Sequence, residues 1–330
     1  MSEKFTPTRC SLCDTGDRIV SARFRQVYSQ KDSKPVLLDW WECGACGGLF
    51  VHPIPPIEVV NRHLASVDYN DESFVSDIAK AKEQLQRRIL KGLSCWTRPG
   101  ELLDFGCNFG QFLVLAREAG WEPYGFEPYL PAAEAARSRG FKVWSQWSFE
   151  ESDFVEGSFS AIAAVDVLSL VWDPIKTLRT FSQLLKPGGM LVMRLTNKRF
   201  VLEIVRAISR PGPARDHSVS NILLGQFHSI GIESLKRVLR GVGFDRINVQ
   251  TNALTAPWHH LRWQTRLAYA GSEVLYRLSR INLSPGVLLF AQRSRQFTSQ
   301  EHVADFQQVQ GDRRFPPICR GQTPKIQDFT

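Results

Sequence analysis

Residues 102–110 read Leu102-Leu103-Asp104-Phe105-Gly106-Cys107-Asn108-Phe109-Gly110, and an apolar stretch at helical spacing follows over 109–119. An apolar strand that ends in an acid and passes through a glycine-bounded turn into a helix makes a ligand cradle. The glycines let the backbone approach a bound adenosyl group closely, and the helix N-terminus adds polarity. Twenty-three residues after Asp104 a second strand ends at Glu127. A carboxylate there is placed to accept hydrogen bonds from both hydroxyls of a ribose.

Outward from this stretch, strands and helices alternate, which predicts an α/β fold around a parallel sheet. Strands are expected over 101–105, up to Glu127, and over 141–144, 161–167, 190–195, 246–251 and 287–292. The run from Ala161 to Val167 is nearly all apolar, as a strand covered on both faces should be. Asp173-Pro174 reads as an N-cap followed by proline at the first helical position. Upstream, Ile78, Leu85, Ile89 and Leu93 mark a helix over 74–93. The expected organisation is a small N-terminal module over 1–56, a helical connector over 57–98, and a main domain over 99–295. A helical insertion is expected at 252–283 and a disordered tail at 296–330.

The N-terminal module carries Cys10-x-x-Cys13 and Cys43-x-x-Cys46, with twenty-nine residues between the pairs. Two such knuckles bring four thiolates to one tetrahedral ion, and this double spacing favours metal over disulfides. Cys10, Cys13, Cys43 and Cys46 therefore predict a structural zinc ribbon. Four thiolates close the coordination shell, and metal binding supplies folding energy that so small a core lacks. Cys95, Cys107 and Cys319 have no partner at metal spacing.

The glycine-bounded loop resembles the first motif of class I S-adenosylmethionine-dependent methyltransferases, usually D-x-G-x-G-x-G, with Asn108 in place of the middle glycine. Residues 166–174 stand where many members read D-V-L-E-H-x-x-D-P. Leu185-Lys186-Pro187-Gly188-Gly189 and the stretch from Glu233 to Phe244 match later blocks. An NAD-binding loop would want G-x-G-x-x-G, and this one has G-x-x-x-G. The resemblance implies a Rossmann-like seven-stranded methyltransferase sheet preceded by a small zinc ribbon. It further implies S-adenosylmethionine held by Asp104, Gly106, Cys107, Asn108, Gly110, Glu127 and Asp166.

The usual Glu-His after the fourth strand is replaced by Ser169-Leu170. A base for the acceptor's proton is therefore expected from His228, with His217 as the second candidate, since histidine suits proton transfer near neutral pH. The zinc-plus-methyltransferase arrangement resembles enzymes of carbohydrate and natural-product methylation, so a small-molecule or glycan acceptor is expected, a nucleotide-linked sugar among them. A ribosomal RNA base methyltransferase and a non-catalytic cofactor-binding scaffold are the rival readings.

The formal charge is +8, and residues 194–215 carry six Lys/Arg against one Glu. That excess suits a phosphate-bearing acceptor, nucleic acid or simply a solvated surface. Nucleic acid ranks behind a small acceptor as partner. No run reaches the length of a membrane span, and the first ten residues lack an apolar core, so a cytoplasmic protein is expected. Residues 258–280 mix Trp258, Trp263, Tyr269 and Tyr276 with four arginines. This mixture suits peripheral membrane contact or a partner as well as a core helix.

Overall fold

A computed structural model describes residues 6–16, 18–28, 36–66, 72–147, 153–196, 202, 223, 226–251, 263–279, 284 and 286–296. The expected tail, the basic run from 197 onward and His217 lie outside these residues. So do residues 252–262 and 280–283 of the expected insertion.

The main domain begins with helices α1 (Ile57–Ser66) and α2 (Glu72–Ser94). Strands β4 (Glu101–Phe105), β5 (Glu122–Phe126) and β6 (Lys142–Trp144) alternate with α3 (Gln111–Glu118) and α4 (Leu130–Ser138). Next come β7 (Phe159–Val165), α5 (Pro174–Leu184) and β8 (Leu185–Thr196). Then follow α6 (Ile232–Gly241), β10 (Phe244–Gln250), α7 (Trp263–Ser279) and β11 (Gly286–Arg293). These strands form one seven-stranded sheet in the order β10-β11-β8-β7-β4-β5-β6. Pairings from β6 through β8 are parallel, and β11 runs antiparallel to both β8 and β10. The strand order reverses beside β4, which opens the crevice where α/β sheets bind ligands.

Both sheet faces are dry. Leu103, Ile162, Leu191 and Leu289 face α5 and α6, while Leu102, Ala163, Val192 and Leu288 face α2 and α3. The period-two alternation of these adjacent residues explains why the central strands read as unbroken apolar runs. The C-terminal half of α2, expected as a connector, is a layer of this domain. Its Leu85, Ile89 and Leu93 are buried in the second core. At Gly92 a Cβ would lie 2.4 Å from Phe290 Cζ, so glycine here admits the helix onto the sheet.

β8 starts five residues earlier than expected: Lys186 to Gly189 belong to the strand, with Gly188 at φ 81°. A register shift against β7 between Phe159 and Ala161 absorbs the irregularity.

The N-terminal sheet is antiparallel, in the order β1 (Ile19–Tyr28), β2 (Val36–Cys43), β3 (Leu49–Val51) and β9 (His228–Ser229). Its fourth strand comes from the other end of the chain. Leu49 pairs with Ser229 and Phe50 with His228, and the Val51 amide donates to the Phe227 carbonyl at 2.9 Å. Phe227 is buried with Trp40, Leu49 and Val51 in a core shared by ribbon and main domain.

Candidate active site

The loop after β4 is held in a left-handed course. Gly106 has φ 84° and Gly110 φ 79°, and Cβ atoms there would sit 2.4 Å from Val167 Cγ1 and 3.0 Å from Ala136 Cβ. Asn108, where the family motif has its middle glycine, is also left-handed at φ 49°. Its Oδ1 accepts the Phe109 amide at 2.9 Å. Asparagine reaches this conformation more easily than other non-glycine residues because of such local bonds. Cys107 packs its buried side chain among Leu113 and Ala133, and its thiol donates to the Asn108 carbonyl at 3.7 Å.

Glu127, at the end of β5, is tied to that loop. Oε2 accepts the Asn108 amide and Oε1 the Tyr129 amide, each at 2.9 Å. Burial raises the Glu127 carboxyl above its ordinary range, against these two amides. Asp104 is pushed up to about 8, first by burial and then by the Glu127 charge, with Lys82 opposing. A buried Asp104 that prefers its proton, beside a half-buried Glu127, makes a pocket suited to a cationic ligand. Burial also pushes the Cys107 thiol up, so it is neither a nucleophile nor a ready disulfide partner.

On the other side of β4, Asp166 closes β7 at φ 62°. It accepts from Arg194 Nη1 at 2.5 Å, and its amide donates to the Arg194 carbonyl. Arg194 is 5 % exposed. Tyr269, reaching in from α7, lies beside the same arginine, and burial raises its phenol above the ordinary range. A cavity of about 30 Å³, room for a water or two, lies among Asp166, Arg194, Ser169, Thr196, Gln226 and His228.

His228 is 2 % exposed. Its Nε2 lies 2.8 Å from the Val171 carbonyl and therefore donates. Nδ1 is left as the acceptor, facing the Ser11 hydroxyl at 3.4 Å. Burial lowers the conjugate acid to about 4, so the ring is neutral near pH 7. The amides of Phe227 and His228 both donate to Ser169, at 2.8 and 3.2 Å. Leu170, at the family's usual histidine position, is exposed.

The four predicted ligands come together. Cys10 and Cys46 Sγ are 3.8 Å apart, Cys13 and Cys43 Sγ 3.7 Å, and all four lie within 4.8 Å of one another. A tetrahedral zinc with bonds of about 2.3 Å has sulfur–sulfur edges of about 3.8 Å, so this donor set fits that ion. The amides of Leu12 and Gly48 point at Cys10 and Cys46 Sγ, both at 3.3 Å, as thiolate charge requires.

The structure thus brings Asp104, the glycine loop and Glu127 together on one side of β4, and Asp166 and His228 on the other. Sequence reasoning missed Arg194, Tyr269, Gln226 and Ser11. Arg194 read as part of a basic run, although an arginine inside an apolar strand was a signal of a buried partner.

A sequence model of a family described as "Methyltransferase domain" matches residues 79–249. The chain matches no curated protein. Among solved structures it is similar to a S-adenosylmethionine-dependent methyltransferase of Thermotoga maritima described as a possible histamine N-methyltransferase. Identity there is 19%, over 68% of this chain and 96% of that one, with a TM-score of 0.46. A Mesorhizobium loti S-adenosylmethionine-dependent methyltransferase is 20% identical over 63% of this chain and 98% of its own, TM-score 0.44. The plantazolicin methyltransferase BamL is 16% identical over 72% and 96%, TM-score 0.46.

Proposed function

Since this chain belongs to the Rossmann-like S-adenosylmethionine-dependent methyltransferases, we propose that it methylates a small-molecule or carbohydrate acceptor, a nucleotide-linked sugar or glycan among them. The observation that carries the acceptor reading is the small cavity at the ends of β7 and β8, where Asp166, Arg194, Ser169 and His228 converge within a mostly apolar lining that includes Leu168, Ile175 and Leu235. A wall of this kind suits the hydroxyl or amine of a compact acceptor better than a flat base stack.

S-adenosylmethionine, when bound, would supply an electrophilic methyl on a sulfonium, passed to an acceptor atom attacking in line while the neutral thioether departs. Glu127 orients the ribose, its oxygens already aligned by the Asn108 and Tyr129 amides. Gly106, Cys107, Asn108 and Gly110 offer backbone to the adenosyl group, and Asp104 a carboxyl to the cationic methionine end. Asp166, fixed by Arg194, borders the reacting side. Orientation supplies much of the acceleration of such a displacement. Where the acceptor loses a proton, His228 Nδ1 receives it, with His217 as the second candidate. A base whose conjugate acid lies near 4 is weak, which puts its contribution at the low end of the usual range, about 10²-fold. Zinc is assigned to the four cysteines as a structural ion.

Transfer of tritium from labelled cofactor into panels of sugars, nucleotide sugars, RNA and metabolites tests the reading. Label in small acceptors is expected. Label in RNA would support a ribosomal RNA substrate instead, and cofactor binding without any labelling a scaffold protein.

A further inference from the structure

Helix α7 has two apolar faces, and among the described residues only one is packed against the fold. Tyr269 and Ser272 are buried against the main domain. On the opposite side Trp263 (66 % exposed), Leu267, Val274 and Leu278 (81 % exposed) face solvent. Between them the Cβ position of Gly271 meets nothing within 4 Å. Positions 263, 267, 271, 274 and 278 follow the three-and-four spacing of a single helical stripe. The other large exposed apolar side chains, such as Val20, Leu130 and Val155, are scattered over separate elements. Scattered residues are ordinary, whereas a contiguous stripe marks an interaction surface.

The geometry points to an anionic membrane surface as the partner of this face. Charge selects that occupant: residues 262–280 hold four arginines against one glutamate, within a chain of net charge +8. Basic segments are drawn to anionic lipid headgroups. Tryptophan at one end and leucines along the stripe are the residues that interfacial helices lay into the boundary between headgroups and acyl chains. Size argues against a second copy of this chain. A helix of 17 residues is about 25 Å long, and its stripe offers on the order of 400 Å², about half of what one partner contributes to a standard stable interface. The helix lies on the surface rather than spanning it: no helix among the described residues is long and apolar enough to cross a membrane. The buried face of α7 carries Tyr269 to Arg194, so a docked helix holds the reaction cavity about one helix diameter, ~10 Å, from the bilayer. That position gives access to acceptors carried on lipid.

Flotation of the full chain with vesicles tests this. One set is phosphatidylcholine alone and the other contains about a third phosphatidylglycerol, the anionic fraction on which the electrostatic attraction depends. Binding to the anionic vesicles is expected, with a loss of at least about tenfold in Leu267→Ser/Leu278→Ser and separately in Trp263→Ser. S-adenosylmethionine affinity, read by calorimetry, stays at the parental value in both variants because the substituted side chains are exposed. No flotation of the parent, or equal flotation of parent and variants, overturns the inference. A parental dimer that these substitutions convert to monomer in sedimentation also overturns it, in favour of a contact between chains. Label transfer to acceptors in solution is read separately, so loss of membrane binding leaves the methyltransfer reading standing.

Discussion

Glu127 uses one lone pair of each carboxylate oxygen on a backbone amide, which leaves the others for a ribose. Glu127→Ala is expected to weaken S-adenosylmethionine binding by about 2–4 kcal/mol, roughly 30- to 1000-fold, the loss of a charge-assisted pair. Calorimetry showing parental affinity would remove the residue from the ribose role. Asp104 adds a pH signature. It is held protonated up to about pH 8 in the empty protein, and a cationic ligand beside it drives the proton off. Binding near pH 7 should therefore release a proton and tighten as pH rises toward 8. The check is the observed binding enthalpy in buffers of different ionisation heat, and identical values would contradict the coupling.

His228 and Asp104 also pull stability in opposite directions. The histidine's folded pKa of about 4 lies below its ordinary 6.5. The unfolded chain therefore takes up the proton first, and stability falls as pH drops from 6.5 towards 4. That contribution is about 2 kcal/mol between pH 7 and pH 5. The aspartate's folded pKa lies above its ordinary 3.8, so its contribution is present in acid and is lost as pH rises towards 8. His228→Asn should remove the first slope and leave a variant that gains stability on acidification, measured by urea midpoints at both pH values. The same variant should lose about 10²-fold in turnover if the imidazole is the base. Near-parental turnover would confine His228 to holding Ser11 and Val171.

At the scale of elements, the ribbon and the main domain share a strand. β9 is paired to β3 on one side and bonded to the Ser169 carbonyl on the other. Ser234, in the first turn of α6, donates to the Cys46 carbonyl at 2.8 Å. Cys43→Ser, which removes one of four ligands, is expected to abolish stoichiometric zinc. It should also raise amide hydrogen exchange at 226–230 and 166–171 while sparing 101–110. A variant that loses zinc with unchanged exchange at 226–230 would show that the two parts are mechanically independent. An analysis finding no zinc in freshly purified parent would refute the metal assignment itself.

For the molecule as a whole, what was legible in the sequence depended on whether a feature is specified locally. The β4 loop and Glu127 could be read because glycines, an acid and two apolar strands state their geometry within a few residues. The cysteine knuckles could be read for the same reason. β9 could not, since two residues carry no alternation, and it becomes a strand only because the edge of β3 is there to receive it. The buried Arg194 depends on Asp166, twenty-eight positions away. Helix α7 was visible as a helical segment mixing aromatic and basic residues, but that mixture does not say which side the sheet takes. The role of α2 depended on Gly92 meeting Phe290, a contact between distant parts of the chain.

The contribution of His228 and Ser229 to the ribbon's sheet limits how this protein can be cut or recombined. A deletion ending at residue 56 takes away the partners of those two residues and uncovers Phe227, so it wounds the enzyme rather than trimming it. The converse holds for transplanting the ribbon: a graft of residues 1–56 arrives with a bare β3 edge and needs a host that supplies its own closing strand. The appendage and the enzyme therefore form one structural unit, separable on paper at Pro56 but joined again 172 positions later at His228.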